Sequence, residues 1–507
     1  MEILGLVDVP LYLILCLVAT VLIYVYGTWN YNYFKNKGIP GPEPTCFIGN
    51  ASMVGFNRGH DLHPWSKRYG SVFGIFVGRT PAYVITDLEI LKEIMVKSFD
   101  NFRNRRIISL PYPVNLALGF LEDDAWKRVR STITPTFTAV KLRRMFGAIN
   151  DCARTLTTNF SKVMGNNAGV NVKECFGAFS MDVICRTAFG IKVDSQTDFN
   201  HPFVVHAKKI FRPPKLALAL RVLSAAVPAL EPVFNKLGLG IFPPASAAFF
   251  ETITGEMMKQ RRIDKTHHQE GTDFLQMLMD GSTEEEEDDS NADGQTVKHS
   301  VRHLSTEEIV AQCITFFVAG YETTASALTF ISYNLAMYPD VQEKTFREIK
   351  EKLGNEDPNY ENIGKLKHLD NVITETLRLY PPGFVLDRIV SESTQIKGLT
   401  FTKGQSIFIP VMAIHRNPQL YKDPDSFKPE RFEDQDKTIA FQAFGFGPRA
   451  CVGMRLALVG IKVALVNVLR TVKFDRLPDT PEVLTFAQNP LFLRTDMDII
   501  LKVSPRC

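Results

Sequence analysis

The sequence predicts a mainly α-helical domain with small β-sheets, preceded by one N-terminal transmembrane helix. Three observations carry this expectation. Helical periodicities dominate from residue 120 to 380, β-rich runs are short, and residues 11–26 hold no charged side chain. The chain has 507 residues and no long linker after residue 50, so 51–507 is expected to form one large domain. Composition is ordinary for a globular protein, at 45% hydrophobic and 22% charged residues. The 58 basic and 55 acidic side chains leave a net charge of +3, which speaks against a nucleic-acid binder. Eight scattered cysteines without a CxxC pair suggest neither a disulfide scaffold nor a zinc site and fit a reducing compartment.

The first element is the uncharged run Leu11 to Tyr26, extended by the apolar Ile3 to Val9 despite Asp8 and Pro10. It is long enough to span a bilayer, so residues 1–27 read as a membrane anchor. A cleaved secretion signal fits less well, because Glu2 and Asp8 stand where a basic region belongs and no small-x-small site follows. Lys35 and Lys37 come first after the span, and the positive-inside rule then puts the remaining chain in the cytosol. No arginine-rich amphipathic leader points to the mitochondrial matrix. Asn50-Ala51-Ser52 and Asn159-Phe160-Ser161 match the glycosylation pattern and are expected to stay unmodified on that side.

Residues 28–50 form a proline-rich linker in which Pro40, Pro42 and Pro44 lock φ, giving a semi-rigid spacer. Val72 to Val77 and Ala82 to Thr86 flank Gly78-Arg79-Thr80-Pro81 as a hairpin, and a helical pattern covers Asp87 to Lys97. Pro213 to Phe250 is unusually apolar, which suits either buried core helices or a surface dipping into the bilayer. The acidic run Glu284 to Asp289 predicts a solvated loop. Ser305-Thr306-Glu307-Glu308 is a capping box, and the helix it opens can run to Met337, roughly 50 Å.

Several constellations could carry chemistry. In Ala319-Gly320-Tyr321-Glu322-Thr323-Thr324 the Thr323 hydroxyl can bond back to the Ala319 carbonyl and bend the long helix. A groove there would hold Thr323 and Glu322 ready for proton delivery, although such a segment alone is more often a packing contact. Glu375 and Arg378 lie three apart on a run from Asn371 to Leu379, and Arg431 follows in Pro429-Glu430-Arg431-Phe432. One carboxylate between two guanidiniums would make a buried network, whereas an isolated i,i+3 pair would carry little weight. Trp126 and Arg130 could aim an indole N–H and a guanidinium at one anion. Finally, Phe444-Gly445-Phe446-Gly447-Pro448-Arg449-Ala450-Cys451-Val452-Gly453 combines two glycines that let the backbone approach a flat cofactor, an arginine for an anionic edge, and a cysteine opening an apolar helix from about Gly453. Free N–H groups at that helix start, with Arg449 beside them, favour a thiolate, and the whole reads as a loop holding haem iron by one sulfur.

In order and spacing, Ala319-Gly-x-Glu-Thr323, Glu375-x-x-Arg378, Pro429-Glu-Arg-Phe432 and the cysteine loop make the chain resemble a cytochrome P-450, from the anchor to the last residues. Ala319 to Thr324 and Asn104-Arg105-Arg106 are most similar to the microsomal family-three branch, which oxidises bulky lipophilic drugs and steroids. The resemblance implies the cytochrome P-450 fold and haem b with Cys451 as axial ligand. It implies that Arg105, Trp126, Arg130, Arg388 and Arg449 meet the haem propionates and that Phe444 belongs to the haem loop. Glu375, Arg378 and Arg431 would be structural, and Phe316, Val318, Ala319, Pro382, Gly383 and Phe384 would line an apolar substrate pocket.

The activity implied is a monooxygenase that inserts one atom of dioxygen into a steroid, xenobiotic or lipid. No flavin or nicotinamide fingerprint accompanies the haem motifs, so electrons must come from a separate protein; the resemblance implies an NADPH-dependent flavoprotein reductase, with a microsomal b-type cytochrome as a further partner. The implied location is the endoplasmic reticulum membrane, single-pass, with the catalytic domain cytosolic. The alternatives are a haem-thiolate peroxide isomerase and a non-catalytic haem sensor or carrier; Thr323 and Glu322 favour the monooxygenase.

Overall fold

The computed structural model describes residues 2–3, 7–8 and 10 onward, apart from 51–61, 107–109, 165–168, most of 213–241, 264–272, 281–303, 434–437, 488–491 and 507. The expected acidic loop lies outside the described residues, as does much of the apolar stretch 213–241. No disulfide joins the seven described cysteines.

Helix α1 (Leu11–Thr28) is apolar on every side, and Leu17 and Leu22 are 65% and 62% exposed. Its 18 residues reach about 27 Å, close to the thickness of a hydrocarbon core. A helix with no polar face and only 6% of its length buried in protein calls for lipid. Its far end is seated on the domain: Gly27 is buried, and a Cβ there would stand 2.6 Å from Cys46 Sγ. Arg79 donates to the Tyr26 carbonyl at 3.1 Å and lies 3.8 Å over the Tyr26 ring.

The linker is docked. Phe34, 3% exposed, packs its ring 5.5 Å from Phe76 and 5.2 Å from Tyr83, so the proline segment is held against strands β1 (Val72–Val77) and β2 (Thr80–Ile85). The turn between them is shorter than the sequence suggests. Val77 pairs with Thr80, leaving Gly78 and Arg79 as a two-residue turn with Gly78 at φ +62°. Pro81 sits within the strand but outside the stretch 82–84 that pairs with residues 406–408, so its missing N–H breaks no ladder there. Asn50 is 1% exposed, accepts from Phe76 N and donates to Glu43 O, while Asn159 donates to Gln196 O.

The helical body contains α2 (Asp123–Ile133), α3 (Ala139–Lys162), α4 (Val172–Phe189), the long α5 (Thr306–Met337), α6 (Lys367–Leu379) and α7 (Met454–Thr471). The capping box opens α5: Ser305 Oγ accepts from Glu308 N at 3.1 Å and Glu308 Oε2 accepts from Ser305 N at 2.9 Å. α5 is long and apolar enough to cross a membrane, but 61% of that stretch is buried in protein. It is the core helix. α4 packs along it, buried on nearly all sides, with Phe189 stacked on Phe317 at 3.9 Å. The Pro244–Ile263 helix adds Phe250 to this stack, so that part of the apolar stretch is core, while Leu216 and Leu237 further forward are 61% and 65% exposed.

Besides two two-stranded pairs, two larger sheets brace the body. β3 (Val170–Asn171) joins β6 (Val472–Asp475) and β7 (Ile500–Pro505) in the order β6-β7-β3. The other runs β1-β2-β5-β4, with β4 (Val385–Ile389) antiparallel and β2 parallel to β5 (Ser406–Pro410). This second sheet sets Arg388 opposite Ile407 at the cavity's edge.

Candidate functional site

A cavity of about 380 Å³ lies between α5 above and the cysteine loop with α7 below. One stripe of α5 faces it: Ala319, Gly320, Thr323, Thr324 and Ala327 lie three, four, seven, eight and eleven residues beyond Phe316, with Thr315 at the edge. Gly320 is required by packing, since a Cβ would meet Ile184 Cδ1 at 2.4 Å. Thr323 Oγ1 donates to the Ala319 carbonyl at 2.7 Å. Phe316 is braced by Phe137, stacked at 5.6 Å, and by Phe274 at 4.0 Å.

Below, the loop folds back so that Cys451 N donates to Phe444 O at 2.8 Å. Gly445 and Gly447 have φ of +73° and +72°, and a Cβ on Gly447 would stand 2.2 Å from the Met95 carbonyl oxygen, so both positions favour glycine on backbone grounds. Cys451 lies deep in the protein and has its exposed surface on the cavity. Burial pushes its thiol up; the Gly453 and Met454 N–H groups at the start of α7, with Arg130 and Arg105, act in the opposite direction. Arg449 is engaged by the backbone. Its Nε, Nη1 and Nη2 donate to the carbonyls of Arg103, Leu118 and Leu121 at 2.9, 3.2 and 2.7 Å, and its guanidinium lies 4.2 Å over Trp126.

The cavity's edge is rich in cations. Arg105, Arg130, Arg388 and Arg449 all line it. Arg388 is 1% exposed; burial, reinforced by repulsion from Arg105, pulls it down to about 10. Arg449 is pulled down to about 9, by burial first and then Arg105 and Arg388. The buried Nε atoms of Arg105 and Arg388 have no hydrogen-bond partner. Repelling guanidiniums with orphaned donors need an anion, and the two carboxylates of a haem fit that need. Among the described residues no three His, Cys, Asp or Glu side chains gather as a metal site. A metal above Cys451 must bring most of its own ligands, as haem iron does.

Under the loop, Glu375 accepts from Arg378 Nε and Nη2 at 2.7 and 2.9 Å, from Arg431 Nε at 3.1 Å and from Lys428 N at 2.9 Å. Both members of the Glu375–Arg378 pair have fully buried side chains. Behind α5, Glu322 is paired with Lys173 Nζ at 2.7 Å, and Lys173 also donates to Ser326 Oγ at 2.6 Å. These groups line a second, polar cavity of about 160 Å³ with Arg494 and Asp498.

The sequence profile described as Cytochrome P450 matches residues 39–503. The chain belongs to the cytochrome P450 family. It is similar to Cytochrome P450 3A29 of Sus scrofa, 37% identical over 506 residues and covering 97% of this chain and 96% of that protein. Cytochrome P450 3A13 of Mus musculus is 38% identical over 502 residues, covering 96% and 95%. Cytochrome P450 3A9 of Rattus norvegicus is 37% identical over 510 residues, covering 97% and 96%. This P450 is therefore a haem-dependent oxidoreductase of the monooxygenase kind, with cysteine-thiolate ligation.

Within this P450 the fold brings Arg105, Trp126, Arg130, Arg388, Phe444, Arg449 and Cys451 to one cavity, with Phe316, Ala319, Thr323, Pro382 and Gly383. Val318 and Phe384 are not on its wall. Val318 lies off the α5 stripe, and Phe384 turns into a cluster with Met412 and Leu493. Glu322 sits on the opposite side of the helix from the cavity stripe, against Lys173.

The sequence reading missed His415. It is fully buried, its Nδ1 is 2.9 Å from Arg378 O, and its Nε2 accepts from Gln442 N at 2.9 Å, tying the arginine of the buried pair to the root of the cysteine loop. With Nδ1 facing a carbonyl and Nε2 facing an N–H, the ring must be the neutral Nδ1–H form. Burial pushes it down to about 3. A lone histidine in an apolar run carries no sequence signal of this role. The α4 wall, Phe179, Val183 and Ile184, was missed for the same reason.

Proposed function

We propose that this P450 hydroxylates lipophilic substrates, such as steroids, xenobiotics or lipids, at the endoplasmic reticulum membrane. Haem b is held by Cys451, and the electrons come from an NADPH-dependent flavoprotein reductase, with a microsomal b-type cytochrome as a second donor. The observation that carries the reading is the make-up of the 380 Å³ cavity, which is lined by Cys451, by arginines of which Arg105 and Arg388 have unpartnered Nε atoms, by apolar side chains and by Thr323.

When bound, haem supplies the iron chemistry that activates dioxygen. The chain's own residues do the rest. Arg105, Arg130 and Arg388 orient the cofactor through its carboxylates. Phe316, Ala319, Pro382 and Gly383 exclude water and accept a greasy substrate without directional bonds. The Thr323 hydroxyl, its proton engaged by Ala319 O, offers lone pairs to a water on the cavity side. Glu322 serves as a proton reservoir in the polar cavity behind α5, where Lys173 and Ser326 hold its carboxylate.

The largely exposed, uncharged α1 and the basic residues after it support the single-pass, cytosol-facing arrangement. The test is turnover in reconstituted vesicles with reductase and NADPH across a panel of steroids, fatty acids and lipophilic xenobiotics. Oxygenated product that requires both reductase and NADPH is expected. Rearrangement of a peroxide without either would replace this reading.

A further inference from the structure

Residues 110–122 lead into α2, and Leu118 and Gly119 of this loop line the haem cavity. One residue of α5 grips the loop without touching the cavity. Gln312 is 0% exposed; its Oε1 accepts from Leu118 N at 2.8 Å, while its Nε2 donates to Leu116 O at 2.9 Å and to Glu308 O at 3.1 Å. Meeting the C=O of one residue and the N–H of the residue two further on is what a neighbouring strand does; here a single side chain does it.

The same residue is gripped from below. Arg449 Nη1 donates to the Leu118 carbonyl at 3.2 Å and Nη2 to the Leu121 carbonyl at 2.7 Å. The base of the grip is itself fixed, since Glu308 belongs to the capping box of α5 and is paired with Arg128 of α2 through Nη1 to Oε2 at 3.0 Å. The wall formed by Leu118 and Gly119 is therefore suspended between the long helix and the cysteine loop.

We propose that Gln312 is a specificity-determining positioning residue: by holding the Leu118 peptide it fixes the wall over the haem and so decides which substrate carbon is presented for oxidation. The second half of this claim rests on the monooxygenase reading above. The two halves are separated by measuring the wall and the product independently.

The test uses the full-length haem protein as wild type, Gln312→Leu and Gln312→Glu, with Asn334→Leu as control. Asn334 is 1% exposed on the same helix, bonds to Thr376 Oγ1 at 3.1 Å, and lies about 33 Å further along. Amide exchange over residues 114–121 is read without turnover, and the ratio of hydroxylated products is read with testosterone. In Gln312→Leu, exchange at the Leu118 amide is expected to quicken by about tenfold or more. The product ratio is expected to move by about threefold or more, because small misplacements are costly in geometry-controlled reactions. Gln312→Glu keeps the acceptor for Leu118 N but loses the donor to Leu116 O, and is expected to fall between; Asn334→Leu should change neither readout.

Wild-type protection of Leu118 in Gln312→Leu would overturn the grip. Faster exchange with an unchanged product ratio would overturn the specificity role. Should Gln312→Leu not fold, Gln312→Glu decides both. Failure of the wild type to oxygenate testosterone and every other member of the substrate panel would count against the monooxygenase reading, while exchange still decides the grip.

Discussion

Beneath the cysteine loop, Glu375 accepts four hydrogen bonds, two of them from Arg378, and the side chains of that pair are fully buried; above the cavity, Phe316, Phe137 and Ala319 meet the same space with carbon alone. The two regions are specified by different physics. The lower one is a set of directional, charge-assisted bonds in which every member needs its partner. The upper one is specified by volume and shape, which many apolar side chains can satisfy. The comparison teaches that loading of the cofactor and choice of substrate are written in separate parts of the chain.

The sharpest way to break that division is Glu375→Gln. Removing the carboxylate strands two guanidiniums, one fully buried, and should destabilise the protein by about 3–5 kcal/mol, read by denaturant unfolding, with little haem-loaded protein recovered. Arg388→Leu should separate loading from stability. It is expected to weaken haem retention by about 10–100-fold, measured by transfer to an acceptor protein, while leaving the apoprotein no less stable because an uncompensated buried cation has gone.

His415 supplies the pH test. Its ring is neutral when folded down to about pH 3. The unfolded chain takes up that proton below about pH 6.5. The unfolded state thus binds more protons between these limits, so this group's contribution is fully present above about pH 6.5 and falls by about 1.4 kcal/mol per unit as the pH drops. His415→Gln should flatten that part of the acid limb in unfolding experiments across pH. The mildest change should be Phe316→Ala, expected to cost about 1 kcal/mol in unfolding and to leave the carbon monoxide spectrum unaltered while shifting substrate binding spectra.

The same division explains what the sequence revealed. Directional chemistry demands fixed residue types at fixed spacings, so Glu375, Arg378, Arg431 and Cys451 stood out as motifs, and the capping box located the start of α5 at Ser305. Shape carries no such mark. Phe384 sat next to two cavity residues in sequence yet turned into another cluster, and Phe179 and Ile184 entered the wall from a helix whose apolar pattern said only that it was buried. Glu322 and Thr323 are adjacent in sequence, but a helix turns about 100° per residue, and this places them on different cavities. Arg449 looked like a partner for an anion, whereas three of its nitrogens hold backbone carbonyls that only the folded loop brings near. His415 and Gln312 act through backbone groups far away in sequence, which no local pattern could announce.

The central claim is that Cys451 is the thiolate ligand of a haem in this cavity, and the reduced carbon monoxide complex tests it most directly. The full-length protein should give the red-shifted Soret band of thiolate-ligated haem, and Cys451→Ser should abolish it. Persistence of that band in Cys451→Ser would contradict the account.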